Sequence, residues 1–558
     1  MKKPTKITAM LFALMLLLAA CTPQQSSDSS SETSSSAATT DNPDGVTPKG
    51  QFPIVTEPYT LSVAFRLHPN VEDINSNFFT QHLKEVTGVS LDVTLLPDDV
   101  DEALTKVNLM FTSNDLPDVV SGVRSIPSSV IWEYAQAGQL VAINEYIDKY
   151  AVGLPANKAR LSPEDAAMVD TILTMPDGNI YTMPFISNLD TDKHSMMTWV
   201  YQPWLEALNL EAPKTLDDFY NMCMAFKTQD PNGNGKADEI PISNAKPQAN
   251  RIVSYIGNCF QYSDWEWYLK VTDGKVESTA NTPEYRQTLE YVHKMMQDGL
   301  IDPLMFTQQN AELKATMAQG DLTIGVIPYA SPSAYLASSE EPMRSFDIID
   351  ALEGPDGFKM TVNRGIEIGH SWLVTSNCKL PAVAVRVADY CFSDEGWNYF
   401  RYGEKGVDWD DPDGTDIMGN PASVKLINDV YGMPSQNKIW RNNDILYFYD
   451  IRYLQRQNDA KDAKEYEAKK YIGSQMLMKS APAEAMPFAL KYPNVEDEAT
   501  VAKLKTELRN YIEEMQAVFI MGNEPLNDEQ WDRYVNELDA RGLQTYVDTA
   551  QKAYDTMK

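Results

Sequence analysis

The chain has 558 residues, of which 79 are Asp or Glu and 47 are Lys or Arg, so its formal net charge is -32. So acidic a protein repels phosphate backbones and anionic surfaces, which argues against a nucleic-acid-binding role. With 43% hydrophobic residues, the chain is long and apolar enough for two or three domains of ordinary size.

The amino terminus predicts export and lipid anchoring. Lysines at positions 2, 3 and 6 precede an apolar run over 7–20 that is short for a membrane span. Its end, Leu18-Ala19-Ala20-Cys21, resembles the lipobox of bacterial lipoproteins, which implies a signal peptide over 1–20 and a lipid-modified Cys21. An ordinary secretory signal with an incidental cysteine is the alternative. The Ser-, Thr- and Gln-rich residues 21–50 predict a disordered tether outside the cell.

Strand and helix patterns then alternate, which predicts an α/β fold with a mostly parallel sheet. We expect strands at 59–65, 91–96, 118–120, 180–184, 322–327 and 370–375, and helices at 75–87, 99–112, 130–137 and through most of 501–558. Ligands of such sheets bind beyond the carboxyl ends of the strands. Arg66 and Arg124 follow two of those ends and can donate hydrogen bonds to hydroxyl groups or a carboxylate. Ordinary surface ion pairs are the alternative for both.

The segment 230–239 predicts a calcium-binding loop. Its sequence, Asp-Pro-Asn-Gly-Asn-Gly-Lys-Ala-Asp-Glu, places oxygen-bearing side chains at alternating positions with glycine between them, as a loop that wraps a hard cation requires. It departs from an EF-hand because Pro241 stands at the twelfth position, so we expect a structural site and not a helix–loop–helix sensor. A metal-free Asx/Gly turn is the alternative.

Several blocks, in order along the chain, resemble the large lipoprotein branch of the extracellular solute-binding proteins that serve ABC importers. They include Asp177-Gly-Asn-Ile-Tyr-Thr-Met-Pro184, Trp204-Leu-Glu-Ala-Leu208, Asp298-Gly-Leu-Ile-Asp-Pro303 and Trp531-Asp-Arg-Tyr-Val535. The loop at 230–239 resembles the calcium site of the alginate-oligosaccharide-binding relatives. That resemblance implies a calcium ligand set of Asp230, Asn232, Asn234, the Lys236 carbonyl, Asp238 and Glu239.

The resemblance implies a two-lobed periplasmic-binding-protein-like fold of type II, with the ligand in a cleft that closes by hinge bending. It implies lobe one at 51–184 plus 371–419, and lobe two, with the calcium loop, at 185–370 plus 420–558. It further implies a monomer on the outer face of the cell membrane that captures an oligosaccharide and delivers it to the permease subunits of an ABC importer. Peptides and other solutes are alternative ligands.

Aromatic side chains are the expected sugar platforms, because a sugar ring has an apolar face and a rim of hydroxyl groups. Trp265 and Trp267 lie in a polar stretch without clear periodicity, where exposed tryptophans favour a binding role. Trp372 lies near the predicted second crossing between the lobes, and Trp440 follows a loop-like segment. Tyr329 completes the set, and buried packing is the alternative for each of these residues.

An enzyme is the competing class of function. The chain has five histidines without an HExxH pattern, and it lacks the G-x-S-x-G, P-loop and dinucleotide motifs. Paired carboxylates of a glycosidase leave no pattern in sequence, so a carbohydrate-active lipoprotein stays open as the alternative. The sequence predicts no catalytic residue.

Overall fold

The computed structural model describes residues 44–557 except 319–321, 337–340, 441–445, 447, 458–463 and 488–489. The predicted signal peptide, Cys21 and most of the predicted tether lie outside the described residues. Within them, no helix is both long and apolar enough to cross a membrane.

The strands fall close to their predicted positions. In chain order they are β1 (Tyr59–Arg66), β2 (Val89–Leu96), β3 (Val119–Ser121), β4 (Thr182–Ser187), β5 (Thr198–Tyr201), β6 (Ile240–Ile242), β7 (Leu269–Thr272), β8 (Lys275–Ser278), β9 (Ile324–Pro328), β10 (Phe346–Ile349), β11 (Glu367–Val374), β12 (Trp409–Asp410), β13 (Lys425–Leu426) and β14 (Phe448–Tyr449). Every strand predicted from sequence overlaps one of them.

Helices connect and cover the strands. They are α1 (Phe78–Thr87), α2 (Val100–Ser113), α3 (Ser128–Gln136), α4 (Asn144–Tyr150), α5 (Gly153–Lys158), α6 (Pro163–Leu173), α7 (Asp190–Lys193), α8 (Gln202–Ala207), α9 (Leu216–Thr228), α10 (Asn250–Gly257), α11 (Pro283–Gln297), α12 (Asn310–Met317), α13 (Glu341–Arg344), α14 (Pro381–Phe392), α15 (Asp394–Tyr402), α16 (Lys464–Met478), α17 (Val495–Met521), α18 (Asp528–Ala540) and α19 (Leu543–Asp555). Short 3₁₀ turns occur at Lys246–Gln248, Pro303–Phe306, Pro332–Ala334, Val430–Gly432 and Ile451–Tyr453.

Local capping explains why the first helices begin and end where they do. The Asn77 side chain accepts a hydrogen bond from the Phe79 amide at the start of α1, which satisfies one of the free amides of the first turn. Gly88 ends α1 in the left-handed conformation, at φ 77°, which glycine adopts without steric cost. Asp99 caps α2 in the same way as Asn77 caps α1.

Two sheets form the centres of two lobes, which confirms the predicted two-lobed α/β fold. The larger sheet has the strand order β14-β4-β11-β3-β1-β2, and the smaller has the order β10-β5-β9-β6. β1 is parallel to β2 and β3, but β11 runs antiparallel to both β3 and β4. The larger sheet is therefore mixed, because β11 returns from the other lobe and enters it in the opposite direction.

The hydrophobic core of each lobe draws on distant parts of the chain. The core around the smaller sheet includes Trp204 and also Trp531 of the helical tail. The core around the larger sheet includes Phe79 and also Trp440 and Phe448. The predicted boundary at 420 placed those last two residues in lobe two. The structure corrects this, because β14 pairs with β4 of the larger sheet.

Candidate functional site

A cavity of about 430 Å³ lies between the two cores, which is within the usual size range of small-molecule sites. Its walls come from both lobes and mix apolar with ionisable side chains. The lining residues are Arg124, Ser125, Ile126, Pro127, Ser128, Ile172, Glu266, Trp267, Glu367, Ile368, Gly369, His370, Leu490, Tyr492, Glu498, Val501, Ala502 and Lys505. The position between two lobes and this mixed lining make the cavity the candidate binding site.

Lobe one contributes an ion pair at the carboxyl end of β3. Arg124 Nη1 lies 3.0 Å from Glu367 Oε1 at the start of β11, and its guanidinium lies 4.2 Å from the centre of the Phe185 ring. Burial raises the pKa of Glu367, while the positive charges of Arg124 and Arg364 oppose that rise. The arginine is thus held in place by a carboxylate and an aromatic face at once.

Lobe two contributes a second charged group around Glu266. Its two carboxylate oxygens pair with Lys505 Nζ at 3.1 Å and Arg364 Nη2 at 3.0 Å. Lys505 Nζ also lies 3.7 Å from the centre of the Trp267 ring, a cation–π contact that fixes the ammonium group beside the cavity. Burial favours protonation of Glu266, but the two cations outweigh it and lower the pKa of this carboxyl group.

One carboxylate joins the two lobes directly. Glu498, in the first turns of α17, accepts hydrogen bonds from the amides of Ser128 and Ser129 at 3.2 Å and 2.5 Å. These amides open helix α3 of lobe one, where free N–H groups and the helix dipole favour a negative charge. Glu498 therefore links α17 directly to the start of α3.

His370 lies at the floor of the cavity and is fully buried. One ring nitrogen is 2.9 Å from Ser128 Oγ, and the other is 2.9 Å from Thr182 Oγ1. Burial lowers its pKa to about 4, so the imidazole is neutral near pH 7. His370 was not singled out from sequence, because one histidine in an apolar strand carries no pattern of its own.

The structure separates the tryptophans that the sequence grouped. Trp267 lines the cavity. The Trp265 ring instead packs against Arg251, whose guanidinium lies 4.4 Å from the centre of the Trp265 ring. Tyr329 stands 5.1 Å from the same guanidinium. Burial lowers the pKa of Arg251 to about 10. Trp265 and Tyr329 therefore sit around a buried arginine and are not among the lining residues.

Arg66 lies near the cavity but does not line it. Its guanidinium donates to the carbonyl groups of Asp98 and Gly122, at 2.6 Å and 3.4 Å. The close approach of Gly122 to the Arg66 backbone depends on glycine, since an added Cβ would lie 2.8 Å from the Arg66 amide nitrogen. The structure thus brings Arg124 and Trp267 together at the cavity and leaves Arg66 outside it.

Trp372 and Trp440 are corrected by the structure, since both are fully buried in the core of lobe one. The indole of Trp372 donates to the Ala384 carbonyl. Pairing of β11 with β4 is irregular between His370 and Trp372, and such a bulge redirects neighbouring side chains. His370 borders the cavity as a result, while Trp372 packs inside.

Trp440 is buried because the preceding segment is not a free loop. The amide of Phe78 donates to Asn437, and that of Phe79 donates to Lys438, so the segment is pinned to the start of α1. The Trp440 ring then packs edge to face with Phe79, at 5.0 Å between ring centres. Sequence alone shows the turn residues but not the helix on which they lie.

The loop 230–239 folds around its own acidic side chains. Asp230 accepts hydrogen bonds from the amides of Asn234 and Gly235, and Asn232 accepts one from Asn234. The Asn232 and Asn234 side-chain amides donate to Asp238 at 3.2 Å. Gly233 and Gly235 have φ of 69° and 77°, the left-handed conformation that the tight turn requires.

The donor set of this loop fits an oxygen-coordinated cation. Glu239 Oε1 is buried without a hydrogen-bond partner in the part of the chain that the structure describes. Burial raises the Glu239 pKa, and the negative charges of Asp230 and Asp238 raise it further. A cation would relieve both effects. Among the described residues, no three His, Cys, Asp or Glu side chains are grouped so that they could hold a metal ion. The other candidate ligand atoms of this loop are the oxygens of asparagine side-chain amides and of main-chain carbonyl groups.

Most of the charged residues at the cavity were missed from sequence. Glu367 lies on β11 while Glu498 and Lys505 lie on α17, in a chain with 79 acidic residues, so no local pattern distinguishes them. Glu266 had one local signal, its position between Trp265 and Trp267. Only the packing of α17 against lobe one brings these residues to one place.

Comparison with known proteins places the chain among transport proteins. The family model described as "Bacterial extracellular solute-binding protein" matches residues 76–396. The fructooligosaccharide ABC transporter substrate-binding protein FusA of Streptococcus pneumoniae is 28% identical over 528 residues, which cover 87% of this chain and 88% of FusA. The polygalacturonan/rhamnogalacturonan-binding protein YtcQ of Bacillus subtilis is 21% identical, and the match covers 86% of this chain and 88% of YtcQ.

Solved structures have the same fold. FusA in complex with kestose superimposes with a TM-score of 0.71 at 25% identity, and the match covers 89% of this chain and 99% of FusA. The alginate-binding protein AlgQ2, solved without calcium ion, superimposes with a TM-score of 0.65 at 22% identity and covers 91% and 100% of the two chains. An EF-hand mutant of FusA with fructo-nystose also matches, with a TM-score of 0.71 at 24% identity over 89% and 99% of the chains.

Proposed function

The chain belongs to the bacterial extracellular solute-binding protein family, and from this premise we propose that it captures an oligosaccharide between its lobes and delivers it to an ABC import permease. FusA, which matches most of its length, is a substrate-binding protein of an ABC transporter, and YtcQ, which also matches most of its length, is named as a binding protein and not as an enzyme. The chain is therefore a binding protein and not a carbohydrate-active enzyme.

The cavity between the lobes is the observation that carries this proposal. Trp267 and Tyr492 offer aromatic surface, and Ile126, Ile368 and Leu490 offer aliphatic surface, which suit the apolar face of a sugar ring. The ion pairs around Glu266 and Glu367 supply donors and acceptors for the hydroxyl rim. FusA is named for fructooligosaccharides and YtcQ for polygalacturonan and rhamnogalacturonan, and both names support a saccharide ligand.

We further propose that the loop 230–239 binds one structural Ca²⁺. The side chains of Asp230, Asn232, Asn234, Asp238 and Glu239 and the carbonyl of Lys236 would hold the ion, with the amide groups turned so that their oxygens face it. The orphaned Glu239 oxygen supports this assignment, as does the EF-hand described for FusA. The carboxylates of Asp230, Asp238 and Glu239 would be neutralised by such an ion, which would stabilise the loop between α9 and β6.

The same proposal covers location and partners. Cys21 would carry the lipid anchor, and residues 21–50 would tether the lobes to the outer face of the membrane, where a monomer meets the permease subunits. Surfaces of both lobes would contact the permease, since closure of the cleft changes their relative position and so reports that ligand is bound.

Thermal unfolding of the full-length protein against a panel of saccharides tests the function. The panel contains kestose, maltotriose, galactotriose and trigalacturonate, with a tripeptide mixture as the comparison. A ligand at 100 times its dissociation constant adds about 2.7 kcal/mol to the free energy of unfolding. Stabilisation by a saccharide without cleavage products supports the proposal. Stabilisation by peptides alone, or by nothing in the panel, contradicts it.

Replacing the cavity tryptophan tests where the sugar binds. Trp267→Ala is expected to weaken binding of the stabilising saccharide by about 1–3 kcal/mol, by analogy with the loss of other aromatic stacking platforms. Trp265→Phe is the matched control, because Trp265 packs on Arg251 outside the cavity lining. Isothermal titration calorimetry gives both affinities. Equal affinities for Trp267→Ala and the unchanged protein would move the platform elsewhere.

A further inference from the structure

The ionisable groups at the cavity are already paired with one another. Arg124 is paired with Glu367, and Glu266 is paired with both Lys505 and Arg364. Each of these N–O distances lies between 3.0 and 3.1 Å, and the groups are shielded from solvent, since no side chain among them is more than 33% exposed. Shielded pairs of this kind hold their partners more firmly than exposed ones do.

The third acid that lines the cavity, Glu498, forms no ion pair with any residue that the structure describes. Glu498 is held by the Ser128 and Ser129 amides, and burial raises its pKa. The lining thus carries the two bases Arg124 and Lys505 against the three acids Glu266, Glu367 and Glu498. The carboxylate of a ligand that enters the cavity would face more acidic than basic side chains. It could pair with Arg124 or Lys505 only if that residue left the carboxylate to which it is already bound.

From this arrangement we propose that the cleft selects uncharged oligosaccharides and rejects oligouronates. The inference rests on the proposed sugar-binding function and adds the charge class of the sugar. A hydroxyl group donates to a carboxylate oxygen and accepts from a guanidinium or ammonium N–H, so it joins an ion pair without breaking it. A uronate carboxylate only accepts hydrogen bonds, and it is repelled by Glu266, Glu367 and Glu498.

Two trisaccharides that differ only at C6 give the direct test. α-1,4-Linked galactotriose and α-1,4-linked trigalacturonate share stereochemistry and linkage, and kestose serves as a neutral sugar of different shape. Calorimetry on the full-length protein is expected to show at least tenfold weaker binding of trigalacturonate than of the better neutral sugar. Trigalacturonate binding as tight as, or tighter than, both neutral sugars would overturn the inference while leaving the sugar-binding function intact. Binding of none of the three overturns both.

Two substitutions test the cause of the selectivity. Glu367→Gln removes the carboxylate partner of Arg124, and Glu266→Gln removes that of Lys505 and Arg364. Either variant is expected to gain at least tenfold in trigalacturonate affinity relative to the unchanged protein. Glu529→Gln, on the exposed side of α18, removes one negative charge at a residue that does not line the cavity and is the matched control. An equal gain in trigalacturonate affinity in the control variant would assign the selectivity to net charge and contradict the pairing argument. The absence of any gain in both cavity variants would contradict it as well.

Discussion

Neutralising two of the three acidic side chains of the loop 230–239 is expected to abolish the stabilisation of the protein by calcium. At a free calcium concentration of about 1000 times its dissociation constant, one bound ion adds about 4 kcal/mol to the free energy of unfolding. Asp230→Asn with Asp238→Asn keeps side chains of the same size but removes two of the charges that would hold the ion. Urea unfolding in calcium and in EDTA measures the difference for each protein.

The alternative to be excluded is a metal-free turn. The hydrogen bonds that Asp230 accepts from the amides of Asn234 and Gly235, one at each carboxylate oxygen, already stabilise the loop without an ion. Asparagine has a single acceptor oxygen, so it keeps one of these two positions and loses the other. A stabilising turn alone therefore predicts equal unfolding in calcium and EDTA for the unchanged protein, an outcome that rejects the calcium assignment. Glu529→Gln with Asp532→Asn, two exposed acids of α18, provides a matched loss of charge.

Lowering the pH from 7.5 to 4.5 is expected to destabilise the protein through His370 by about 2–3 kcal/mol. The folded pKa of about 4 lies below the ordinary value of 6.5, so between these values the unfolded chain binds a proton that the folded protein does not. Stability therefore rises with pH across this window and falls as pH drops through it. Below about pH 4 the loss attributable to His370 levels off.

A variant with an uncharged residue in place of His370 isolates the contribution of this histidine to the pH dependence of stability. The comparison is needed because many carboxylates titrate in the same pH range. His370→Gln can keep one hydrogen bond, to Ser128 or to Thr182, but takes up no proton. The free energy of unfolding in urea is measured at both pH values for both proteins, and the variant is expected to lose about 2–3 kcal/mol less than the unchanged protein. Parallel losses would show that His370 becomes protonated without cost in the folded state.

The fold follows closely from local patterns. Apolar periodicity located α1 and α2 within a few residues of their ends, where the structure shows that Asn77, Gly88 and Asp99 act as caps on their own backbone neighbours. The calcium-loop hypothesis also came from spacing alone, because all its side chains lie within ten consecutive residues. The helices predicted through most of 501–558 correspond to α17, α18 and α19, which the structure interrupts at Gly522 and Gly542.

The two tryptophans that were wrongly assigned to the ligand have one physical cause in common. Whether a side chain is buried depends on residues that are distant along the chain. Trp440 was expected at a ligand because turn residues precede it, yet α1 captures that turn by two main-chain hydrogen bonds. Trp372 was expected near the crossing, yet an irregularity in the pairing of β11 separates it from His370. Neither contact leaves a mark in the residues around the tryptophan itself.

By itself the sequence determined the α/β class, the two-lobed family fold, the acidic loop with cation-binding residue types and the residue pool of the site. The α/β class depends on periodicity and the acidic loop on a motif read within a few residues, whereas the two-lobed fold is what the resemblance of ordered sequence blocks to the solute-binding protein family implies. Only the tertiary structure decided which side chains meet at the cavity. Glu266, Glu367, Glu498 and Lys505 come from three separate segments, and Coulombic pairing depends on distance in space, which the separation of residues along the chain does not determine.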